Sequence, residues 1–189
     1  MRPDKLRRLT SAAVAGAIAL AATSPGHAYL YWTRPDFSGA QVRGDEPGIA
    51  LPLPNATPAE IQANLVWTMR AALNVAALSC RTRNSAGVAP AYNRMLVRYK
   101  AVLAAANAAE EAPFRARYGA KWAGPYDVHA TKLYNFFAMP TAQGQFCVTA
   151  AQVLARTSAL GPDALTGYAP AALAQLETPF LKRPGYARR

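Results

Sequence analysis

Two residue types that carry much of enzyme chemistry are scarce. The 189-residue chain has two cysteines, Cys80 and Cys147, and two histidines, His27 and His129. Acidic residues are few as well, 10 against 21 Lys and Arg, for a formal net charge of +11. There is no Cys-x-x-Cys, no His-Glu-x-x-His, no Gly-x-Ser-x-Gly elbow and no glycine-rich phosphate loop. The readable signatures of zinc, serine-hydrolase and P-loop chemistry are therefore missing. No apolar run approaches the roughly 20 residues that span a bilayer. Strand signals are weak throughout, and abundant alanine favours helices over sheets. No internal repeat is visible.

What is present begins at the N-terminus. Arg2, Lys5, Arg7 and Arg8 precede a short apolar core from Ala12 to Ala22, and Pro25 breaks the run. Gly26-His27-Ala28 then offers small residues at the two positions a signal peptidase reads. The pattern predicts a secretory signal peptide over residues 1–28, cleaved between Ala28 and Tyr29. Arg7-Arg8 fits either the general or the twin-arginine route. Export predicts a periplasmic or secreted, soluble protein with no membrane span after cleavage.

An oxidising compartment changes how cysteine is read, because there a pair of thiols is a disulfide by default. Two cysteines allow one pairing, Cys80–Cys147. A metal site is a poor alternative with His129 the one histidine left after cleavage, and no cofactor is expected. Loss of the leader's four cations and one anion leaves 17 Lys and Arg against 9 Asp and Glu, a net charge near +8. A cationic exported protein meets anionic lipid headgroups, lipopolysaccharide and peptidoglycan before any nucleic acid. Plain solubility is the competing explanation of that charge.

Residues 29–56 carry Pro35, Pro47, Pro52 and Pro54 with Gly39, Gly44 and Gly48, and no helical or strand period survives. Their aromatic and aliphatic content predicts an extended arm lying partly on the body, with Ile49 to Leu53 as the docked part. Thr57-Pro58-Ala59-Glu60 reads as a capping box with proline in the first turn. Asn55-Ala56-Thr57 also matches a glycosylation sequon. Ile61, Leu65, Met69, Leu73, Ala76 and Cys80 then form one stripe at spacings of three and four, predicting a helix that ends near Cys80.

A second helix is expected through Tyr92, Met95, Leu96, Tyr99, Val102, Leu103 and Ala106. A third should cover about 112–122, with Pro113 near its start. A fourth should open at Pro125 after Gly124 and run to about Ala138. A fifth, capped by Thr141, carries Phe146, Cys147, Ala150, Ala151 and Leu154 on one side. A short last helix is expected from Pro170 to Leu176. The whole reads as an all-α bundle of five to six helices over residues 57–178. An N-terminal arm precedes it, one disulfide staples it, and a basic tail over 179–189 follows.

Several strings, among them "DEPGIALPLP", "TPAEIQANLVWTMRAALNVAALSC", "AYNRMLVRYKAVL", "FRARYGAKW" and "TKLYNFF", resemble a group of small exported proteins. Those proteins come mostly from sphingomonad-like alphaproteobacteria. The resemblance covers most of the chain after the leader. It implies export, a helical architecture and the Cys80–Cys147 pairing, and brings no substrate and no catalytic residue.

The remaining chemistry is thin. Asp127 and His129 are two positions apart, roughly 200° on a helix, so they do not pair locally. Glu110 and Glu111 face about 100° apart, whereas a glycosidase needs two carboxylates facing across about 5–9 Å. One constellation stands out. Phe114, Tyr118 and Trp122 are spaced by four and flanked by Arg115, Arg117 and Lys121, with Tyr126, Tyr134, Phe136 and Phe137 close behind. Such a set could stack on sugars or bases while its cations hold acidic groups. It also fits an amphipathic helix with an aromatic core stripe and a solvated basic face. Two function classes follow: a non-enzymatic envelope protein binding another envelope protein or an anionic envelope polymer, and a glycan-active envelope enzyme using a carboxylate pair.

Overall fold

Thr57 starts the helical body as the sequence suggests. Its backbone N–H donates to Glu60 Oε2 at 2.7 Å, and its Oγ1 accepts from the Glu60 N–H at 3.3 Å. Both halves of the capping box are thus made. The computed structural model describes residues 43, 53, 55–81 and 87–181. Over these it is all-α, with α1 Pro58–Ser79, α2 Val88–Arg98, α3 Lys100–Tyr118, α4 Ala123–Phe137, α5 Gln143–Ala159 and α6 Leu165–Leu181. Single 3₁₀ turns at Gly119–Lys121 and Pro140–Ala142 precede α4 and α5. The expected leader, its Ala28/Tyr29 junction, nearly all of the arm and the tail from 182 lie outside the described residues. Of the expected docked segment, Leu53 is described, and it is buried.

α1 is the centre of the bundle. It packs against all five other helices, while α2 lies on α5, α5 on α6 and α3 on α4. Its predicted stripe is buried from Leu65 onward, but so are Asn64, Val66, Thr68, Ala71, Ala72 and Val75 on other faces. A one-sided stripe is therefore too narrow a reading. Alanines at 71, 72 and 76 let neighbours approach from several sides, and a helix buried nearly all round needs no polar face. The Asn64 side-chain oxygen accepts from the Thr68 hydroxyl at 3.1 Å, while its Nδ2 is buried with no hydrogen-bond partner among the described residues.

Helix boundaries correct several expectations. The second predicted helix is two, broken at Tyr99, whose backbone sits at φ −108°, ψ 24°. Tyr99 is buried, and its hydroxyl donates to the Thr157 carbonyl at 2.7 Å and lies 3.2 Å from that of Leu160, which also accepts from Arg98 at 2.6 Å. These partners lie about 60 residues away and fix a break that no local residue announces. Pro113, expected to open a helix, lies buried inside α3 instead. The chain stops at Gly119, whose φ of +52° suits glycine, and not at Gly124. Ala142, not Thr141, occupies the N-cap position of α5.

The last helix is far longer than Pro170 to Leu176, and it crosses the expected domain boundary at 178. It runs through both Pro170 and Pro179. A proline inside a helix orphans the carbonyl four residues earlier. For Pro170 that carbonyl belongs to Thr166, and it accepts from Gln62 Nε2 of α1 at 3.2 Å. Tertiary contact thus supplies what the proline withholds. Leu173, Leu176 and Phe180 form the buried stripe that carries the helix onward. Phe180 meets Phe137 of α4 at 5.7 Å and Phe146 of α5 at 5.1 Å, ring centre to ring centre. This aromatic knot ties three helices together.

Cys80 follows the last residue of α1 and is bonded to Cys147 of α5, with Cα atoms 5.5 Å apart. Both are buried, at 6% and 5% exposure. The expected staple between the first and fifth helices is present.

Candidate functional site

The six residues singled out as a binding surface do not share one helix face. Phe114 and Arg115 lie in the last turns of α3, Arg117 and Tyr118 at its end, Lys121 in the 3₁₀ turn, and Trp122 at the N-cap of α4. The break at Gly119 folds them into a corner. Phe114 points inward and is buried. Its ring stacks on Tyr118 at 6.4 Å and meets Tyr126 edge-on at 5.5 Å. It belongs to the core.

The other five form the outer surface of that corner. Tyr118 is 40% exposed, Trp122 is half-buried, and Arg115, Arg117 and Lys121 are exposed. The Arg115 guanidinium lies 3.7 Å above the Trp122 ring and Arg117 lies 5.6 Å from the Tyr118 ring. Arg115 also pairs with Glu111 at 2.6 Å, and Glu111 accepts from Asn107 at 3.0 Å. That pair partly neutralises Arg115, so the net positive field of the corner comes chiefly from Arg117 and Lys121. Neither arrangement inferred from sequence holds whole: one ring is core, and the rest is a cation–aromatic ledge. Of the aromatics that follow, Phe137 is core and Phe136 and Tyr134 are half-buried.

Beneath the ledge lies a pair that sequence reasoning missed. Glu110 is fully buried, and its Oε1 sits 3.1 Å from His129 Nε2. The His129 ring packs 5.2 Å from Phe114. Burial pushes the Glu110 carboxyl above the ordinary carboxylate range, and the contact with His129 offsets part of that rise. Its other oxygen, Oε2, is buried without a hydrogen-bond partner among the described residues. Burial likewise pushes the neighbouring Tyr126 hydroxyl up to about 12, with Glu110 and Glu111 adding to the rise. The available signal was Glu110's place on the Leu103–Ala106–Phe114 stripe, a carboxylate on an apolar face. His129 comes from α4, 19 positions away. Asp127, considered as its neighbour, is exposed.

A second network surrounds Arg70 of α1. Its guanidinium lies 4.8 Å from the Trp67 ring and donates to the Tyr134 hydroxyl at 2.7 Å. These groups fasten α4 to α1.

Concavities on the described surface include these two. One, of about 320 Å³, lies beside the disulfide between Arg81 and the Pro140–Gly144 turn. The larger, about 540 Å³, runs between α2 and α5. Met95 and Leu154 line its buried floor, and Arg94 and Arg98 stand on one wall. No Asp or Glu is among the described residues lining either.

Comparison with protein-family models, with curated proteins and with solved structures finds no match.

Proposed function

We propose that this is an exported, non-enzymatic envelope protein that holds an anionic envelope polymer on the cation–aromatic ledge at the α3–α4 corner. The observation that carries the reading is the exposed set Arg115–Trp122, Arg117–Tyr118 and Lys121. Rings of this kind stack on sugar faces while the guanidinium and ammonium groups meet phosphate or carboxylate. The leader pattern, the net positive charge and the buried disulfide fit that setting. The resemblance to small exported alphaproteobacterial proteins belongs to the same proposal. The alternative, a glycan-active enzyme, calls for two carboxylates facing across a cleft. The two grooves described above are lined by arginines and by no carboxylate among the described residues, which supports the binding reading.

The test is a pull-down of the oxidised protein with peptidoglycan and with lipopolysaccharide over a salt series. Binding should weaken as salt rises, because exposed charges are screened within about 10 Å at 0.1 M. The variant Arg117→Ala/Tyr118→Ala/Lys121→Ala should bind markedly less while keeping its melting temperature. Salt-independent binding, or full binding by the variant, overturns the ledge as the site. N-terminal sequencing of protein recovered from the native host should begin at Tyr29. A retained leader overturns export.

A further inference from the structure

The α2–α5 groove has a chemistry different from the ledge. Its volume of about 540 Å³ lies within the roughly 300–1,000 Å³ usual for small-ligand sites. Residues 87 to 99, α2 with its two cap residues, line one side, which at 1.5 Å per residue makes the groove about 18 Å long. Its floor is Met95 and Leu154, each 2% exposed. Its upper walls are narrow because Ala91, Ala151 and Ala155 carry only methyl groups there. The surface presented is an apolar trough open along its top.

Polar groups lie toward one end, and they are sorted by sign. Arg94 and Arg98 are one turn apart on the same face of α2, and both are exposed. The acceptors nearby, at the C-terminal end of α5, are already engaged. The Thr157 hydroxyl donates to the Leu154 carbonyl at 2.8 Å and Ser158 to that of Ala155 at 2.6 Å. Tyr99 takes the Thr157 carbonyl, and Arg98 takes that of Leu160. An acidic group arriving at this end meets donors and occupied carbonyls. A cationic one meets two guanidinium groups with no carboxylate lining the groove to offset them.

We propose that this groove binds a small anionic amphiphile, its carboxylate or phosphate head at Arg94 and its single acyl-type tail along the Met95–Leu154 floor. The trough fixes the tail's chemistry and the arginines fix the sign of the head. An elongated ligand with a single chain fits a groove that runs between two helices for about 18 Å. The site is separate from the ledge, and each stands or falls by its own variants.

Titration calorimetry on the oxidised full-length mature chain tests this with four probes: laurate, dodecyl phosphate, the neutral dodecyl maltoside below its micelle concentration, and inorganic phosphate. Both anionic amphiphiles should bind at one site per chain, and the maltoside at least about tenfold more weakly, the worth of one charge-assisted hydrogen bond. Arg94→Glu should weaken laurate by a similar factor. Ala155→Phe, at an exposed helical position that tolerates bulk without repacking, should block the tail and abolish binding of both amphiphiles. The ledge variant should bind laurate unchanged. Equal binding of laurate and maltoside, or laurate binding that survives Ala155→Phe, overturns the proposal. So does inorganic phosphate binding as tightly as dodecyl phosphate. Sedimentation velocity supplies the other decisive outcome: a dimer that Ala155→Phe dissociates makes the groove an interface between copies and overturns the ligand reading.

Discussion

Removing the staple by Cys80→Ala/Cys147→Ala should cost about 4 kcal/mol. The two cysteines are 67 residues apart, and a crosslink of that span removes loop-closure freedom from the unfolded chain. The loop-entropy relation gives about 4.4 kcal/mol at 25 °C for a loop of this length. Native contacts change little, since alanine replaces a small buried group at each site and the Ser79 hydroxyl, 4.0 Å from Cys80 Sγ, keeps its bond to the Val75 carbonyl at 2.8 Å. A domain's whole stability is about 5–15 kcal/mol, so the variant should stand near the edge of folding. Urea unfolding of the oxidised protein, the reduced protein and the double variant is the assay. With a slope of about 2 kcal/mol per molar, the midpoint should fall by about 2 M in both the reduced and the variant forms. Oxidised protein should carry a two-dalton mass deficit and show no thiol labelling, folded or unfolded, until it is reduced, because both sulfurs are held in the bond. A midpoint shift worth less than about 1 kcal/mol would show that the unfolded chain is already constrained between these positions, and the entropy reasoning would fail.

Three further outcomes follow from single side chains. Thr57→Ala removes both hydroxyl contacts with Glu60 and should lower stability by about 1 kcal/mol, read as a fall in melting temperature. Tyr99→Phe keeps the ring and deletes the bond to the Thr157 carbonyl; it should cost about 1–2 kcal/mol and speed hydrogen exchange at the α2–α3 break, whereas unchanged exchange there would assign the break to something other than this hydroxyl. Glu110 has its carboxyl held above the ordinary range, so the native state prefers it protonated, and its stabilising contribution is present in acid and lost as pH rises through the raised value. Glu110→Gln should therefore resemble the parent near pH 4 and gain on it toward pH 8 in denaturation midpoint, and a parent that gains relative to the variant with rising pH would reverse the assignment.

The parts of this fold that sequence reveals are those set by neighbours in the chain. The Thr57–Glu60 cap, the Leu65–Met69–Leu73 stripe and the place of both cysteines on apolar faces are local patterns, and each is seen in the structure. The parts that stay hidden are set by partners far away. Tyr99 breaks a helix because carbonyls of α5 accept its hydroxyl. Pro170 sits mid-helix because Gln62 reaches across to the carbonyl it orphans. The ledge residues were legible as a cluster, but the turn at Gly119 decides which of them face water. Glu110 and His129 meet only because α3 and α4 reverse there, so neither residue alone carries the signal. The α2–α5 groove exists between two helices whose pairing no spacing rule encodes.

The central position of α1 has a consequence for how the chain reaches its native state. Among the described helices α1 is the first made, yet part of its apolar surface is covered by α6, the last of them. About 100 residues separate the end of one from the end of the other. As the chain emerges N-terminus first, that flank waits for this whole length before its cover arrives. α2 and α3 can shield other sides earlier. In the oxidising compartment that export implies, the bond between Cys80 and Cys147 can close once α5 is out, before α6 is complete. Oxidation can thus lock α1 to α5 while the site for α6 is still vacant. A chain cut short before residue 165 keeps its staple and lacks its lid, and should aggregate through the bare flank of α1.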